Sequence, residues 1–491
     1  MGKLNWIKKA CGIFLLCTMA AIALPAQTTG NAPAAPIFTV LHNFDLTDGL
    51  YPQAGLVQAA NGNFYGTTSA GGLDGTVFKI TPSGTLTTLH SFDSTDGGNP
   101  YAGLVQGIDG NFYGTTVGNA IGFCPSCGTV FKITPSGTLT TLHSFDFTDG
   151  ANPYGALVQG FDGNFYGTTA YGGANSSCNG GVGCGTVFKI TPSGTLTTLH
   201  SFDGTDGTGP SAGLVQAADG SFYGTTYSGG TNGSSCGGGC GTVFRITPDG
   251  RLTTLHSFDF TDGYFPFAGL VQGNDGNFYG TTVEGGGGDN CSGEGCGTVF
   301  RITPSGTLTT LHRFIGTDGD DPYAGLVQGT DGNFYGTTYG GGTHGIGSVF
   351  EITPSGTLTT LHSLSETDGY FPIAGLVQGT DGNFYGTAAY GGATGSCDPP
   401  YGCGTVFSLS VGLGPFVETL PEFGKVGTPV HILGTDLTGT TSVTFNGTPA
   451  TFTVITKTLI FTNVPAGATT GTVQVVIPSG TLSSNAPFQV K

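Results

Sequence analysis

Carboxylates recur along this chain as pairs three residues apart, each pair followed by glycine: Asp45 and Asp48, Asp93 and Asp96, Asp146 and Asp149, Asp203 and Asp206, Asp259 and Asp262. Two further copies keep only Asp318 and Asp368. A carboxylate placed before a glycine at positive φ caps its own backbone in an Asx turn. The same oxygens would serve calcium, which takes carboxylate and carbonyl ligands, although two Asp per loop fall short of a full set. No cofactor is required on this reading, and calcium is the one ion the pairs would suit. Seven histidines, His42, His90, His143, His200, His256, His312 and His362, recur with the same period. They are too dispersed to share a metal and point to hydrogen bonding in packing.

Ten cysteines fall into five local pairs: Cys124 and Cys127, Cys178 and Cys184, Cys236 and Cys240, Cys291 and Cys296, Cys397 and Cys403. In an exported chain the natural reading is local disulfides that pin glycine-rich loops. Each ring is so small that its stabilisation falls below the ~3 kcal/mol expected of a 15-residue loop. Zinc is the rival, with only two thiolates per loop and no partnered His. The Cys124-Pro-Ser-Cys127 spacing also suits redox chemistry, but it lacks the βα setting of such motifs.

The clearest departures from the repeating pattern are Glu284, Glu294, Arg313, Asp320, Asp321, His344 and Glu351. Paired carboxylates can run glycoside hydrolysis as acid and nucleophile, so Glu284, Glu294, His344 and Glu351 are the catalytic candidates. No nucleophile elbow, HExxH or phosphate loop accompanies them. Sugar sites often stack on Trp, and the only one is Trp6, in the leader. Tyr51, Tyr101, Tyr154, Tyr323 and Tyr339 would take that role.

The elements that must hold these residues come from an internal repeat. One unit reads AGLVQGTDGNFYGTT, then a variable loop, then GTVFKITPSGTLTTLHSF. Its FYGT core begins at Phe64, Phe112, Phe165, Phe222, Phe278, Phe334 and Phe384, at spacings of 48, 53, 57, 56, 56 and 50 residues. The first unit offers four strands, 54–58, 63–68, 76–81 and 86–92, rich in β-branched and aromatic residues. Asn61-Gly62 is a hairpin dipeptide between the first two, and Pro82-Ser83-Gly84 turns the last two. Four antiparallel strands repeated seven times describe propeller blades. The array opens on a lone fourth strand, 38–44, and ends on a third, 404–410. The N-terminal strand can therefore complete the last blade and remove the open edges. The expected fold is all-β: a seven-bladed β-propeller closed by an N-terminal strand, plus a C-terminal immunoglobulin-like β-sandwich. Boundaries are a signal peptide at 1–26, a linker at 27–37, the propeller at 38–410, a linker at 411–414 and the sandwich at 415–491.

The seven FYGTT…GTVFKITPSGTLTTLHSF copies resemble the GloVer tandem repeat of surface-directed bacterial proteins. The resemblance implies export and a propeller-like array, and carries over no catalytic residue. Residues 415–491 resemble the IPT/TIG immunoglobulin-like domain through Gly427-Thr-Pro-Val-His-Ile-Leu-Gly434, Thr441-Ser-Val-Thr-Phe-Asn-Gly447 and Val464-Pro-Ala-Gly467. Such domains usually serve as spacers or accessory modules. The anchor carried by many repeat relatives is not evident, which favours release.

Charge and leader bound the function. Lys3, Lys8 and Lys9 precede an apolar run and small residues, as in a Sec-type signal peptide. Beyond it the chain has ten bases against 31 acids, which argues against nucleic acid and anionic membranes. No later segment could span a membrane. Length and variety gather in the second-to-third loops, so the face that carries them is the expected working face. The chain reads as a secreted or cell-surface, non-enzymatic binding module, multivalent for glycans, with a glycan or an extracellular protein as partner. The alternatives are an extracellular carbohydrate-active hydrolase or lyase, and a structural extracellular component. Oligomeric state is not legible.

Overall fold

The FYGTT segment of the first six units, and FYGTA in the seventh, forms a strand whose five residues are all buried, because a partner lies across each of its faces. A computed structural model describes residues 35–491, apart from 94, 119–126, 176–177, 233–235, 288–290, 292, 394–396 and 398–401. The expected leader, most of the first linker and Cys124 lie outside the described residues.

In the first blade the strands are Val57–Gln58, Phe64–Thr68, Thr76–Ile80 and Leu86–Ser91, hydrogen-bonded in that order. Six more four-stranded sheets repeat the plan, and no α-helix occurs among the described residues. The register sets Gly66 opposite Phe78. A Cβ on Gly66 would come within 2.7 Å of both the Phe78 ring and Leu56, so only glycine lets the third-strand aromatic cross the blade. The fourth strand carries a bulge opposite Val77 and Phe78, which adds twist. Phe64 and Phe78 are at most 1% exposed, and burial of such a ring contributes on the order of 2–3 kcal/mol.

Innermost strands are two residues long rather than the expected five. Near the axis the backbones of adjacent blades converge. A Cβ on Gly103 would lie 3.1 Å from the Gly55 carbonyl, and one on Gly55 3.2 Å from that of Gly375. The backbone of residues 54–56 therefore packs against the neighbouring blade and leaves the ladder of its own second strand, while the Leu56 side chain stays over Gly66 in the core of its own blade.

The ring closes as the sequence predicts. Ile37–Asn43 pairs antiparallel with Thr405–Ser410 and completes the seventh blade. Each FYGT tyrosine stacks on the phenylalanine of the next blade, from Tyr65 on Phe112 at 4.1 Å round to Tyr385 on Phe64 at 4.1 Å. Thr380 N–H donates to Gln58 Oε1 at 2.9 Å, joining the last blade to the first.

The C-terminal region forms two four-stranded sheets around Val430, Ile432, Val443, Phe445, Ile460 and Val475. It sits on the propeller face that carries the first-to-second turns. Phe416 N–H donates to Thr380 O at 3.0 Å, Asn485 Nδ2 to Gln328 O at 2.9 Å, and Phe423 meets Phe161 edge-on at 4.7 Å. Among the described residues nothing covers the opposite face, which carries the second-to-third loops.

Candidate functional site: the open face

Every connection into a blade on the open face passes one residue in the left-handed region, immediately before a proline. These residues are Tyr51, Asn99, Asn152, Gly209, Phe265, Asp321 and Phe371, with φ between +51° and +67°. Their N–H groups reach back to the preceding blade. In five cases the acceptor is the carbonyl of the second cysteine of a pair: Tyr51 to Cys403, Asn152 to Cys127, Gly209 to Cys184, Phe265 to Cys240 and Asp321 to Cys296, at 2.9–3.3 Å. Where a loop has no cysteines, Asp74 and Ile346 supply the carbonyl to Asn99 and Phe371. The disulfides Cys178–Cys184, Cys236–Cys240, Cys291–Cys296 and Cys397–Cys403 form as expected. They fix the carbonyls on which this inner ring hangs. The pair of Cys127 lies outside the described residues.

Glycine is the unstrained choice for such backbone, and Asn or Asp tolerates it. Tyr51, Phe265 and Phe371 are bulky residues held there at a conformational cost on the order of 1–2 kcal/mol each. That strain holds aromatic rings at the channel mouth. Phe371 stacks on Tyr339 at 4.2 Å, and Tyr339 meets Tyr323 at 5.5 Å, which meets Phe267 at 5.7 Å. In the other direction Phe371 contacts Tyr390 at 6.0 Å, and Tyr390 contacts Tyr51 at 4.8 Å. The result is one unbroken aromatic arc from blade five through six and seven to one. Of the five predicted tyrosines, Tyr51, Tyr323 and Tyr339 belong to it. Tyr101 and Tyr154 form a separate edge-to-face pair at 5.7 Å. The sequence reading missed Phe267, Phe371 and Tyr390. For Phe371 a signal existed: it holds the position before the repeat's proline, where the units differ most.

One end of the arc meets carboxylates. Glu284 pairs backbone to backbone with Tyr264 (N···O 2.8 and 3.0 Å), and Gly285 N–H donates to Glu294 O at 2.8 Å, which folds the disulfide loop back. Asp320 and Asp321 arrive on the connection into blade six. Burial, with Glu294 and Asp321 beside it, pushes the Glu284 carboxyl up to about 7. Burial and the adjacent Asp320 push Asp321 up to about 6. Tyr323 is pushed up to about 12, first by burial and then by Asp321 and Glu284. Glu284 Oε2 and Asp320 Oδ1 are buried without a hydrogen-bond partner.

The other predicted residues do not join this group. Glu351, on the third strand of blade six, accepts from Asn333 at 2.6 Å and lies opposite Tyr335, toward the turn of Asp331. His344 Nδ1 is 2.9 Å from Leu364 O. Arg313 Nη2 reaches the Thr261 carbonyl at 3.4 Å.

The paired aspartates are engaged within their own turns. Asp45 Oδ1 accepts from Thr47 N–H and hydroxyl, while Asp48 takes Asp45 N–H on one oxygen and His42 Nε2 on the other at 2.7 Å. The His–Asp contact recurs in all seven blades at 2.7–3.0 Å. Hydrogen bonds from Thr47, Thr95, Thr148, Thr205 and Thr261 hold Asp45, Asp93, Asp146, Asp203 and Asp259 below the usual carboxylate range. Calcium would have to displace this network.

The sequence profile of the Gloeobacter/Verrucomicrobia repeat matches residues 31–235, 176–295 and 289–440, and that of the IPT/TIG domain matches 417–490. No curated protein matches the chain. Among solved structures, a fungal alcohol oxidase of the AA5 family, in complex with copper, is 14% identical with a TM-score of 0.51, over 94% of this chain and all of that one. A putative 6-phosphogluconolactonase from Bacteroides uniformis is 14% identical with a TM-score of 0.42, over 63% of this chain and 84% of that one. At such identity the oxidase likeness speaks for the fold alone.

Proposed function

The chain belongs to the Gloeobacter/Verrucomicrobia repeat family, and we propose that it is an exported, non-enzymatic binding module that holds an extended glycan on its open face. The aromatic arc from Phe267 to Tyr51 carries this reading. A continuous run of aromatic rings, several of them edge-on to their neighbours, offers apolar surface to successive sugars, and such rings lose little side-chain entropy on binding. The arc occupies one side of the mouth, so a single asymmetric site is expected in place of the sevenfold multivalency suggested by the repeat. Disulfides fit an oxidising, extracellular setting, and no helix among the described residues is long and apolar enough to cross a membrane.

Titration of the protein with soluble polysaccharides tests the proposal. Saturable one-to-one binding that is lost in Tyr339→Ala, with thermal stability kept, is the expected result. Absence of saturable binding across neutral, acidic and basic polysaccharides would refute it.

One observation favours the hydrolase as a second reading. Glu284, pushed up to about 7, would keep its proton near neutral pH beside Glu294, as a general acid requires. Glycan cleavage abolished by Glu284→Gln would replace the binding module with an enzyme.

A further inference from the structure

The capped end of the channel is hollow. A chamber of about 670 Å3 lies between the propeller and the immunoglobulin-like domain. Its wall is the ring of first-strand Val-Gln pairs, and its roof is Leu420, Pro421, Glu422 and Phe423 with His431. A smaller chamber of about 190 Å3 adjoins it, sharing Val327, Glu422, Asn485 and Ala486, and is lined by Glu418. Glu418 is half-buried and lines this smaller space. Glu422 is exposed and lines both chambers. Neither carboxylate has a hydrogen-bond or ion-pair partner among the described residues. We propose that this chamber binds a small organic cation, an amine or quaternary ammonium on an apolar body, with Glu422 and Glu418 as its counter-charges.

Chemistry selects that class. The volume suits a small molecule, and apolar walls with a few polar groups are the usual composition of such sites. The valines would cover an aliphatic body, and Phe423 with Phe161 would face a cation. Phe161 already holds the Lys491 ammonium 3.6 Å from its ring centre, a contact favourable to cations. That lysine also donates to Ala218 O at 3.2 Å, so it is committed away from the two carboxylates. His431 is held below its ordinary value by burial and stays neutral near pH 7.

A hard divalent ion fits less well. Four of the ring's five glutamine oxygens that line the chamber are engaged, Gln106 with Ala60 N–H, Gln159 with Ile108, Gln216 with Phe161 and Gln328 with Asn274. Calcium, which wants six or more oxygens, would find two carboxylates and, from the ring, the Gln272 amide oxygen. Burial and the neighbouring Glu422 push Glu418 up to about 8, so the free pair holds a proton at neutral pH that a bound cation would expel. This site lies at the opposite end of the channel from the aromatic arc, and the inference does not rest on the glycan reading.

Calorimetric titration of the purified protein with hexyltrimethylammonium at pH 7 tests it, with hexanol and calcium chloride as comparisons. The expected result is saturable one-to-one binding of the cation alone, with a heat that depends on buffer ionisation because a proton is released. Glu422→Gln should weaken binding at least tenfold, with an unchanged melting midpoint. Val271→Leu, which narrows the chamber and leaves both acids in place, should weaken binding as well and serves if the acid variant misfolds. No saturable binding at millimolar cation, equal binding of hexanol, binding of calcium alone, or full affinity in a folded Glu422→Gln would each overturn the proposal.

Discussion

The two ends of the propeller channel are built from the same repeat and end differently. At the capped end the repeat is nearly unbroken: a Val-Gln pair in every blade, with six of the glutamines accepting from a neighbouring blade's backbone. Its chemical character comes from a different domain, through Glu418, Glu422 and Phe423. At the open end the frame is equally regular, with one left-handed residue before proline in each unit, but that residue changes from Tyr to Asn, Gly, Phe or Asp. The regular parts close the ring, and the departures from symmetry give each end its chemistry.

The contrast can be tested from its strongest element down. Phe112→Ala removes a ring that stacks on Tyr65 within the sevenfold ladder, and should cost about 3–5 kcal/mol in denaturant unfolding. If it costs under about 1 kcal/mol, the ladder does not hold the ring together. Tyr339→Ala should weaken polysaccharide binding at least tenfold, about 1.4 kcal/mol, while Tyr101→Ala, outside the arc, should change it little. Equal losses would dissolve the distinction between the two sides of the mouth.

Glu284 gives a pH signature. Its carboxyl is raised in the folded state from the ordinary 4.5 to about 7, so the folded protein binds that proton more tightly than the unfolded chain. The resulting stabilisation is complete below about 4.5 and is lost as pH rises through about 7. Glu284→Gln should therefore flatten the melting temperature across this window and exceed the parent above it, by a modest amount because the group is partly solvated. Phe371→Gly should have the smallest effect on stability, within about 1 kcal/mol, since relief of the left-handed strain offsets the lost stack, yet it should lower glycan affinity. A large loss of stability would make Phe371 a packing residue.

Much of the frame was legible in the sequence. Four strands per unit, seven units and complementary ends already specified the closed ring, and cysteine spacing specified loop-local disulfides. The Asp-x-x-Asp-Gly segments were legible as turns, although not the His–Asp contact that ties each to its fourth strand. Strand lengths near the axis were misread, because the crowding of Gly55 against Gly375 involves residues 320 positions apart. The acidic candidates were legible as departures from the repeat, but their grouping was not. Glu284, Glu294, Asp320 and Asp321 meet because the connection into blade six crosses the disulfide loop of blade five. Glu351 points toward the opposite end of the channel, since strand register sets it opposite Tyr335.

By itself, then, the sequence determined the repeat, the closure and the positions where one unit differs from the next, because these follow from local strand, turn and glycine chemistry. Only the tertiary structure decided that scattered aromatics join into one arc and that the immunoglobulin-like domain caps a hollow chamber. Those outcomes depend on which blades become neighbours and on how two separately legible domains dock, and the spacing of residues along the chain encodes neither.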